Sequence, residues 1–538
     1  MPFLVTCELY CLQIIWFSMI NKLIIPTLVV TTMLTACGGG SGGGNNNSTN
    51  VTNSGFTLPR ESNVITNYNI DGAFNTVFPR NYQIAKDAGF DYFIKIPLRS
   101  DPSISITILA TKGSDEDLRQ AIGVWTSLLS NNGANTELSK VDIFKTISQR
   151  QGTLLMASSE GDLGTIQQEL LRLLKVREPK MASATEDNFL QKIASDNYLF
   201  KKYGWFVHSQ ALGYNETTYV GEPEYFSGYN SKTGAGSRDA SIEEILHITQ
   251  AQGVAPLTGE GDKGGLQKRI TEHSLSIFKD YKYDNVSGLY VYDDKDTTKD
   301  YVAGSSIWSP QADGATLDEK REEQWDGDWG GDDIGKNLGL PEQYKMGQTF
   351  SHEYFAALAD TYYGMYGGFN TEFGGMDNYR YVTRETLPSD GEGFAMVKEF
   401  LPEYHQYTAR IDSGKVNQYL KGHPSLNNTF KIQFSSNSDE KYTFKSQYIK
   451  NLKVIGSEPL IVLGNAQDNY FEGNSSNNSF DGSDGIDVLK VNGNKGDYLI
   501  EKLAGGVTQI SGNSNGTDKI TNVEYIKFND DIVKVDNI

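Results

Sequence analysis

The stretch "GNAQDNYFE GNSSNNSFD GSDGIDVLK", residues 464–490, repeats a pattern every nine residues. Gly464, Gly473 and Gly482 open the three lines. Asn469, Asn478 and Asp487 stand at position six, and Phe471, Phe480 and Leu489 at position eight. A short period with one glycine turn and one apolar residue per line predicts a stack of short parallel strands. Glycine permits the tight turn. The position-six side chains offer oxygens to a hard cation, and calcium takes about six to eight of them in flexible geometry.

The pattern resembles the RTX, or haemolysin-type, calcium-binding repeat. That resemblance implies a parallel β-roll with calcium as cofactor. The ligand candidates are Asn469, Asn478 and Asp487, with the nearby carboxylates of Asp481 and Asp484. The chain departs from the family pattern in three columns. Position two is Asn, Asn and Ser rather than Gly, and position four is Gly only at Gly485. Position six is Asp only at Asp487. Each lost carboxylate weakens a site, so one ion or weak binding is expected rather than a full ladder. A metal-free coil rich in Asn and Gly is the alternative.

The residues on either side extend the strand-rich reading. After the repeat, 491–538 alternate apolar and polar residues between Gly/Asn turns. Asp518, Ile520, Val523, Glu524, Ile526, Phe528 and Asp530 set a rhythm that resembles the β-rich cap following such repeats. Before it, 416–463 reads as a β-region leading into the roll, and "YTFKSQY" (Tyr442–Tyr448) reads as one of its strands.

Further upstream, 56–185 reads as an α/β segment. "DYFIKIPLRS", "SISITILATKG" and "GTLLMASS" are expected strands. "SDEDLRQAIGVWTSLLSNNG" is an expected helix with Ser114 as its N-cap and Gly133 as its stop. "LGTIQQELLRLLKV" is a second amphipathic helix.

Residues 186–415 hold the chemical candidates, including five of the six His in the chain. In "SIEEILHITQAQG" (241–253), Glu243 and His247 are four residues apart, so a helix puts them on one face. Glu244 stands one step round, where the catalytic Glu of H-E-x-x-H takes a proton from water. A second helix, "HEYFAALAD" (His352–Asp360), resembles the third-ligand helix of gluzincin metallopeptidases, the lethal-factor-like group in particular. The resemblance implies Glu353 as third metal ligand, His247 as second ligand and Glu244 as general base. At the first ligand position the family has His and this chain has Glu243. A carboxylate binds zinc at about the same distance as imidazole, although oxygen ligands also suit harder metals. The expected cofactor is zinc or another divalent metal, with a peptide or protein as substrate. His208 or His352 could supply the missing imidazole, and Tyr344 could polarise a substrate carbonyl. Three readings stay open: an active peptidase, a decayed peptidase fold that still binds metal, and two amphipathic helices with solvated glutamates. The "QWDGDWGGDDIG" loop (324–335) reads as an exposed turn, because it lacks the carboxylate spacing of a calcium loop. "TYYGMYGGF" (361–369) lines a groove or packs beneath a loop.

The ends and composition set the location. The 538 residues carry a formal net charge of −20, which argues against a nucleic-acid partner. All three Cys lie in the first 37 residues, so no disulfide framework holds the globular part. An apolar run from Met19 ends at "LTAC", which resembles the lipobox of bacterial lipoproteins and implies lipidation of Cys37. A plain signal peptide or an uncleaved anchor is the alternative. "GGGSGGGNNNSTNVTNSG" then reads as a flexible tether.

The expected organisation follows: 1–36 lipoprotein signal peptide, 37–55 tether, 56–185 α/β segment, 186–415 mostly helical metallopeptidase-like domain, 416–463 β-region, 464–490 β-roll, 491–538 β-rich cap. The fold class is α+β multidomain. The expected protein is secreted and lipid-anchored in the bacterial envelope, at the outer membrane or cell surface, with release outside the cell as an alternative. The competing function is a non-catalytic calcium-binding adhesion or matrix protein.

Overall fold

The computed structural model describes residues 70–130, 139–186, 188–227, 239–258, 265–277, 281–284, 289–292, 340–367, 379–512 and 516–538. Cys37, the stretches read as a lipobox and a tether, Gly133 and residues 324–335 lie outside those residues. The described architecture is α+β, with a strand-rich C-terminal region.

Four strands form the first sheet: β1 Tyr92–Pro97, β2 Ser105–Ala110, β3 Thr153–Ala157 and β4 Ser209–Gly213. β1 and β2 are antiparallel, and β3 and β4 continue parallel to β2. Side chains alternate between the faces of a strand. Leu154 and Met156 of β3 face one core with Ile108 and Leu212. Leu155 and Ala157 face a second core with Phe93 and Leu109. Burial of both faces explains why "LLMA" (154–157) is an unbroken apolar run.

The main helices are α1 Asp115–Leu128, α2 Lys140–Gln149, α3 Glu160–Arg177, α4 Asn197–Val207, α5 Ser241–Thr249, α6 Leu266–Ile277, α7 Leu340–Tyr362 and α8 Gly391–Phe400. α3 and α4 cover one face of the sheet. The other six helices build the core on the opposite face. Ser114, Ser139 and Ser159 cap α1, α2 and α3, each hydroxyl accepting from the backbone N–H three residues on. Such a cap contributes about 1 kcal/mol. β3 lies before residue 185 and β4 after it, so the α/β segment and the helical region share one sheet and one core.

A short antiparallel hairpin, β5 Tyr281–Asp284 with β6 Leu289–Tyr292, follows α6. The C-terminal strands are β7 Thr408–Asp412, β8 Thr429–Lys431, β9 Asn451–Ile455, β10 Ile461–Leu463, β11 Tyr470–Glu472, β12 Ser479–Asp481 and β13 Val488–Lys490. After them come β14 Tyr498–Lys502, β15 Thr508–Gly512, β16 Gly516–Thr521, β17 Tyr525–Lys527 and β18 Ile532–Lys534. From β7 to β13 successive strands alternate between two six-stranded sheets. Ile461 pairs with Ser479, and Tyr470 with Val488, both in parallel register two nine-residue lines apart. Each line is therefore half a coil and delivers one strand to each sheet in turn.

Phe471, Phe480 and Leu489 are all buried between the sheets, and the Phe471 and Phe480 rings stack at 5.3 Å. Burying such a side chain stabilises by about 1.5–3 kcal/mol. Antiparallel pairs of β14, β15 and β16, and of β17 with β18, close the stack. Ile520, Ile526 and Phe528 are buried there.

One expected strand is a helical turn instead. Thr443–Ser446 is helical, with the Ser446 hydroxyl donating to Tyr442 O at 3.1 Å and Thr443 Oγ1 to Glu440 O at 2.6 Å. These side-chain bonds to preceding carbonyls compete with a sheet ladder. Buried Tyr442 stacks on Phe430 at 5.2 Å, which anchors the turn to β8.

Candidate metal centre

α5 begins at a buried anchor. Asp239 Oδ1 accepts from Ser241 N at 3.2 Å, and Oδ2 accepts from Gln120 Nε2 of α1 at 2.7 Å. Ile242, Ile245, Leu246 and Ile248 turn into the core. The remaining edge carries Glu243, Glu244 and His247, whose ligand atoms lie within 4.8 Å of one another. After Thr249 the helix widens through a π turn, Gln250–Val254, a local insertion often found beside functional sites. Gly253 lets this turn pack closely on α2, because a Cβ there would meet Ile143 Cγ2 at 2.6 Å.

α7 crosses α5 and brings Glu353 to the same edge. His247 Nε2 is 3.8 Å from Glu353 Oε1, and His247 Nδ1 is 3.5 Å from Glu244 Oε2. His247 Nε2 is buried with no hydrogen-bond partner among the described residues. Burial disfavours its charge, but Glu353, Glu244 and Glu243 outweigh burial and raise its pKa to about 10. Glu243 and His247 are 5% and 6% exposed, whereas the Glu244 and Glu353 side chains are 19% and 20% exposed, so the cluster opens at its carboxylates.

Two neighbours had no sequence signal. Gln210 of β4 donates its Nε2 to Glu244 Oε2. Glu160, at the start of α3, has its pKa raised to about 7 by burial and by Glu216, Glu244 and Glu243. Both come from elements far away in the chain, and no local pattern marks either.

Behind the cluster, Gln250 Nε2 donates to Gln267 Oε1 of α6 at 3.0 Å, and Gln267 Nε2 donates to Ser351 Oγ at 2.9 Å. This buried polar floor locks α5, α6 and α7 together. His352 lies beside it, stacked on His247 with ring centroids 5.7 Å apart. Its Nε2 is buried without a hydrogen-bond partner among the described residues. Burial and the neighbouring His247 charge lower its pKa, so His352 is neutral.

The other candidates are committed elsewhere. His208 ends α4 with Nδ1 bonded to Arg150 O, and burial lowers its pKa to about 4. His405 stacks on Tyr363 at 4.1 Å. Tyr362, Tyr363 and Tyr366 of the aromatic stretch are buried, and Tyr366 donates to Asp360 Oδ2 at 2.8 Å. The side chain of Tyr344 lies outside the described residues. His273 of α6 meets Asp390 Oδ1 at 2.7 Å, and the same carboxylate accepts from Tyr354 at 2.5 Å and Tyr379 at 2.7 Å. Asp390 also caps α8, accepting from Gly393 N, a role legible from an Asp before "GEGFAMVKEF".

In the C-terminal coil, Asn469, Asn478 and Asp487 point inward and are fully buried. Their oxygens form two ladders along the stack. Asn469 N donates to Asp487 Oδ1 at 2.7 Å, and Asp487 N to Glu524 Oε2 at 2.7 Å. Leu460 N donates to Asn478 Oδ1 at 3.1 Å, and Asn478 N to Asp518 Oδ1 at 2.8 Å. The cap carboxylates Glu524 and Asp518 are thus the last rungs. Asp481 Oδ1 accepts from Ser483 N and Asn522 Nδ2, and Asp484 is exposed. Among the described residues, Glu243, Glu244 and His247 form the one group of three or more metal-binding side chains with such close ligand atoms. Among those residues no helix is long and apolar enough to cross a membrane.

No protein-family model matches the chain, and no curated protein matches it.

Proposed function

We propose that the protein is a metal-dependent peptidase of the gluzincin type, carried at the bacterial cell surface by a lipid on Cys37. Glu243, His247 and Glu353 hold zinc or another divalent metal, and Glu244 is the general base. One observation carries the reading: the buried Nε2 of His247, with no hydrogen-bond partner among the described residues, faces Glu353 Oε1 at 3.8 Å, from a helix distant in sequence. Two carboxylates and an imidazole are a fitting donor set for zinc or manganese. A metal held there supplies Lewis-acid polarisation of the scissile carbonyl. Gln210 and His247 both engage Glu244 at Oε2, which leaves Oε1 to take a proton from water. The buried floor of Gln250, Gln267 and Ser351 keeps the two ligand helices in register.

The C-terminal strands belong to the same proposal as a parallel β-roll with an antiparallel cap. Their calcium reading rests on Asp487, whose Oδ2 is buried without a hydrogen-bond partner among the described residues. A second reading, a non-catalytic calcium-binding adhesion or matrix protein, draws on a different observation. His247 lies between Glu244 and Glu353 and offsets part of their charge, so these side chains hold together as an ion-pair cluster.

Metal analysis of the purified full-length chain, joined to a peptide-hydrolysis assay, separates the two. The peptidase reading expects a bound transition metal that His247→Ala loses. It also expects Glu244→Gln to keep the metal and lose hydrolysis. A wild-type protein that binds no transition metal leaves only the adhesion or matrix reading.

A further inference from the structure

The first two lines of the nine-residue repeat share one arrangement of side-chain amides. Asn465 Oδ1 accepts from Gln467 N at 3.1 Å and from Asn469 Nδ2 at 2.9 Å. Its Nδ2 has three carbonyl oxygens within reach of its two hydrogens, those of Ile432 at 3.3 Å, Gln447 at 3.1 Å and Ile449 at 2.9 Å. One line later, Asn474 Oδ1 accepts from Ser476 N at 2.9 Å and from Asn478 Nδ2 at 3.1 Å. Asn474 Nδ2 donates to Gly456 O at 3.1 Å and Glu458 O at 2.9 Å. Four partners keep the same offsets in both lines, two and four residues ahead and 16 and 18 residues behind, so that part of the arrangement belongs to the repeat, whereas the Ile432 contact is made only by Asn465.

Main-chain oxygens that converge on one point need positive charge between them. A calcium ion would sit about 2.3–2.6 Å from each oxygen. Here the point is filled by an amide NH2, which carries partial positive charge and two directed donors. The position-six amides add to the effect. Asn469 and Asn478 each turn Nδ2 toward the position-two side chain, and an NH2 group cannot ligate a cation, while Asn469 Oδ1 already accepts from Asn465 N at 3.0 Å.

We infer that the first two lines of the repeat take no calcium, because the side-chain amides of Asn465 and Asn474 occupy the place of the cation. The third line breaks the pattern. Its position two is Ser483, which has no amide, and its position six is Asp487, whose Oδ2 has no hydrogen-bond partner among the described residues. Gly482 leaves space there, since a Cβ would meet Asn522 O at 2.0 Å and Asp487 Oδ2 at 2.3 Å. The calcium expectation on Asn469 and Asn478 therefore does not fit the groups present, and it contracts to Asp487. This inference rests on the parallel-roll reading of the strands and is independent of the metal centre between α5 and α7.

Hydrogen-exchange mass spectrometry of the full-length chain, in calcium and in EDTA, tests it with local resolution. Protection across 451–481 should be the same in both conditions, with any calcium response confined to 482–490. Asn474→Asp replaces the donor with a carboxylate beside Gly456 O and Glu458 O. That variant should lose protection over 456–481 in EDTA and regain it in calcium. Wild-type protection over 451–481 that disappears in EDTA and returns with calcium overturns the inference. Absence of protection there in both conditions overturns the roll itself, and the inference with it.

Discussion

His247 Nε2 and Glu353 Oε1 stand 3.8 Å apart, although one lies on α5 and the other on α7. The separation is too long for a hydrogen bond and short enough for a shared ion. At the other ring nitrogen, Glu244 Oε2 lies at 3.5 Å. The imidazole is held between two carboxylates, so a proton and a metal compete for the same ring.

Metal affinity should therefore rise steeply with pH. The His247 pKa is raised from 6.5 to about 10, so below that value a metal must displace a proton. The same shift fixes the sign for the metal-free fold. The His247 contribution to stability is fully present below pH 6.5 and is lost as pH rises through about 10. Calorimetric metal titrations across this range should show tighter binding at each step upward, and His247→Ala should abolish the trend.

Gln210→Ala should weaken the centre without unfolding the protein. Its Nε2 is the donor that holds Glu244 Oε2. Loss of an outer partner of this kind costs about ten- to a hundred-fold in metal affinity or activity. Parallel measurement of metal affinity and hydrolysis shows which, and an unchanged value of both contradicts the role given to Gln210.

Asp390→Ala should be among the most destabilising single substitutions in the helical region. The carboxylate is 1% exposed and gathers His273, Tyr354, Tyr379 and the first turn of α8. Removing one member of a buried charged group costs about 3–5 kcal/mol. Burial opposes its charge, yet the bonds from His273, Tyr354 and Tyr379 win and lower its pKa below 3.8. Its contribution stands above that value and is lost on acidification through the folded pKa. Urea unfolding of the variant and the wild type measures the difference. Because Tyr354 adjoins Glu353, metal affinity should fall as well.

Asp487→Asn should stabilise the C-terminal region above neutral pH in EDTA. Burial raises the Asp487 pKa to about 8, with Glu524, Asp468 and Asp481 adding to the shift. The folded coil therefore favours the protonated acid. That advantage is fully present below the ordinary value of 3.8 and is lost as pH rises through about 8. An Asn keeps the oxygen that accepts from Asn469 N and puts a donor in place of Oδ2, which has no hydrogen-bond partner among the described residues. Relief of a buried unpaired polar atom is worth about 1–3 kcal/mol. Thermal melts from mildly acidic to mildly alkaline pH should show the variant's gain growing with pH and levelling off above about 8.

Local pattern carried much of the fold. The Ser114 cap and helical spacing marked α1, helical spacing alone marked α3, and apolar runs marked β1 to β3, because each depends on residues within one or two turns. The nine-residue period fixed Phe471, Phe480 and Leu489 as inward-facing, since periodicity reports which face is buried. "YTFKSQY" shows where local pattern fails: its alternation suited a strand, and hydroxyl bonds to preceding carbonyls made a helical turn.

What the sequence determined by itself was the chemical inventory: Glu243, Glu244 and His247 on one helical edge, a second helix bearing Glu353, and a period of nine. Only the tertiary structure decided which groups meet. The crossing of α5 and α7 put His247 against Glu353 and His352, and the sheet brought Gln210 to Glu244. The parallel register made the period half a coil and set Asn465 and Asn474 against carbonyls from earlier turns. Those contacts join segments far apart in the chain. They depend on helix crossing and strand register, which sum over many side chains and leave no mark in any short stretch.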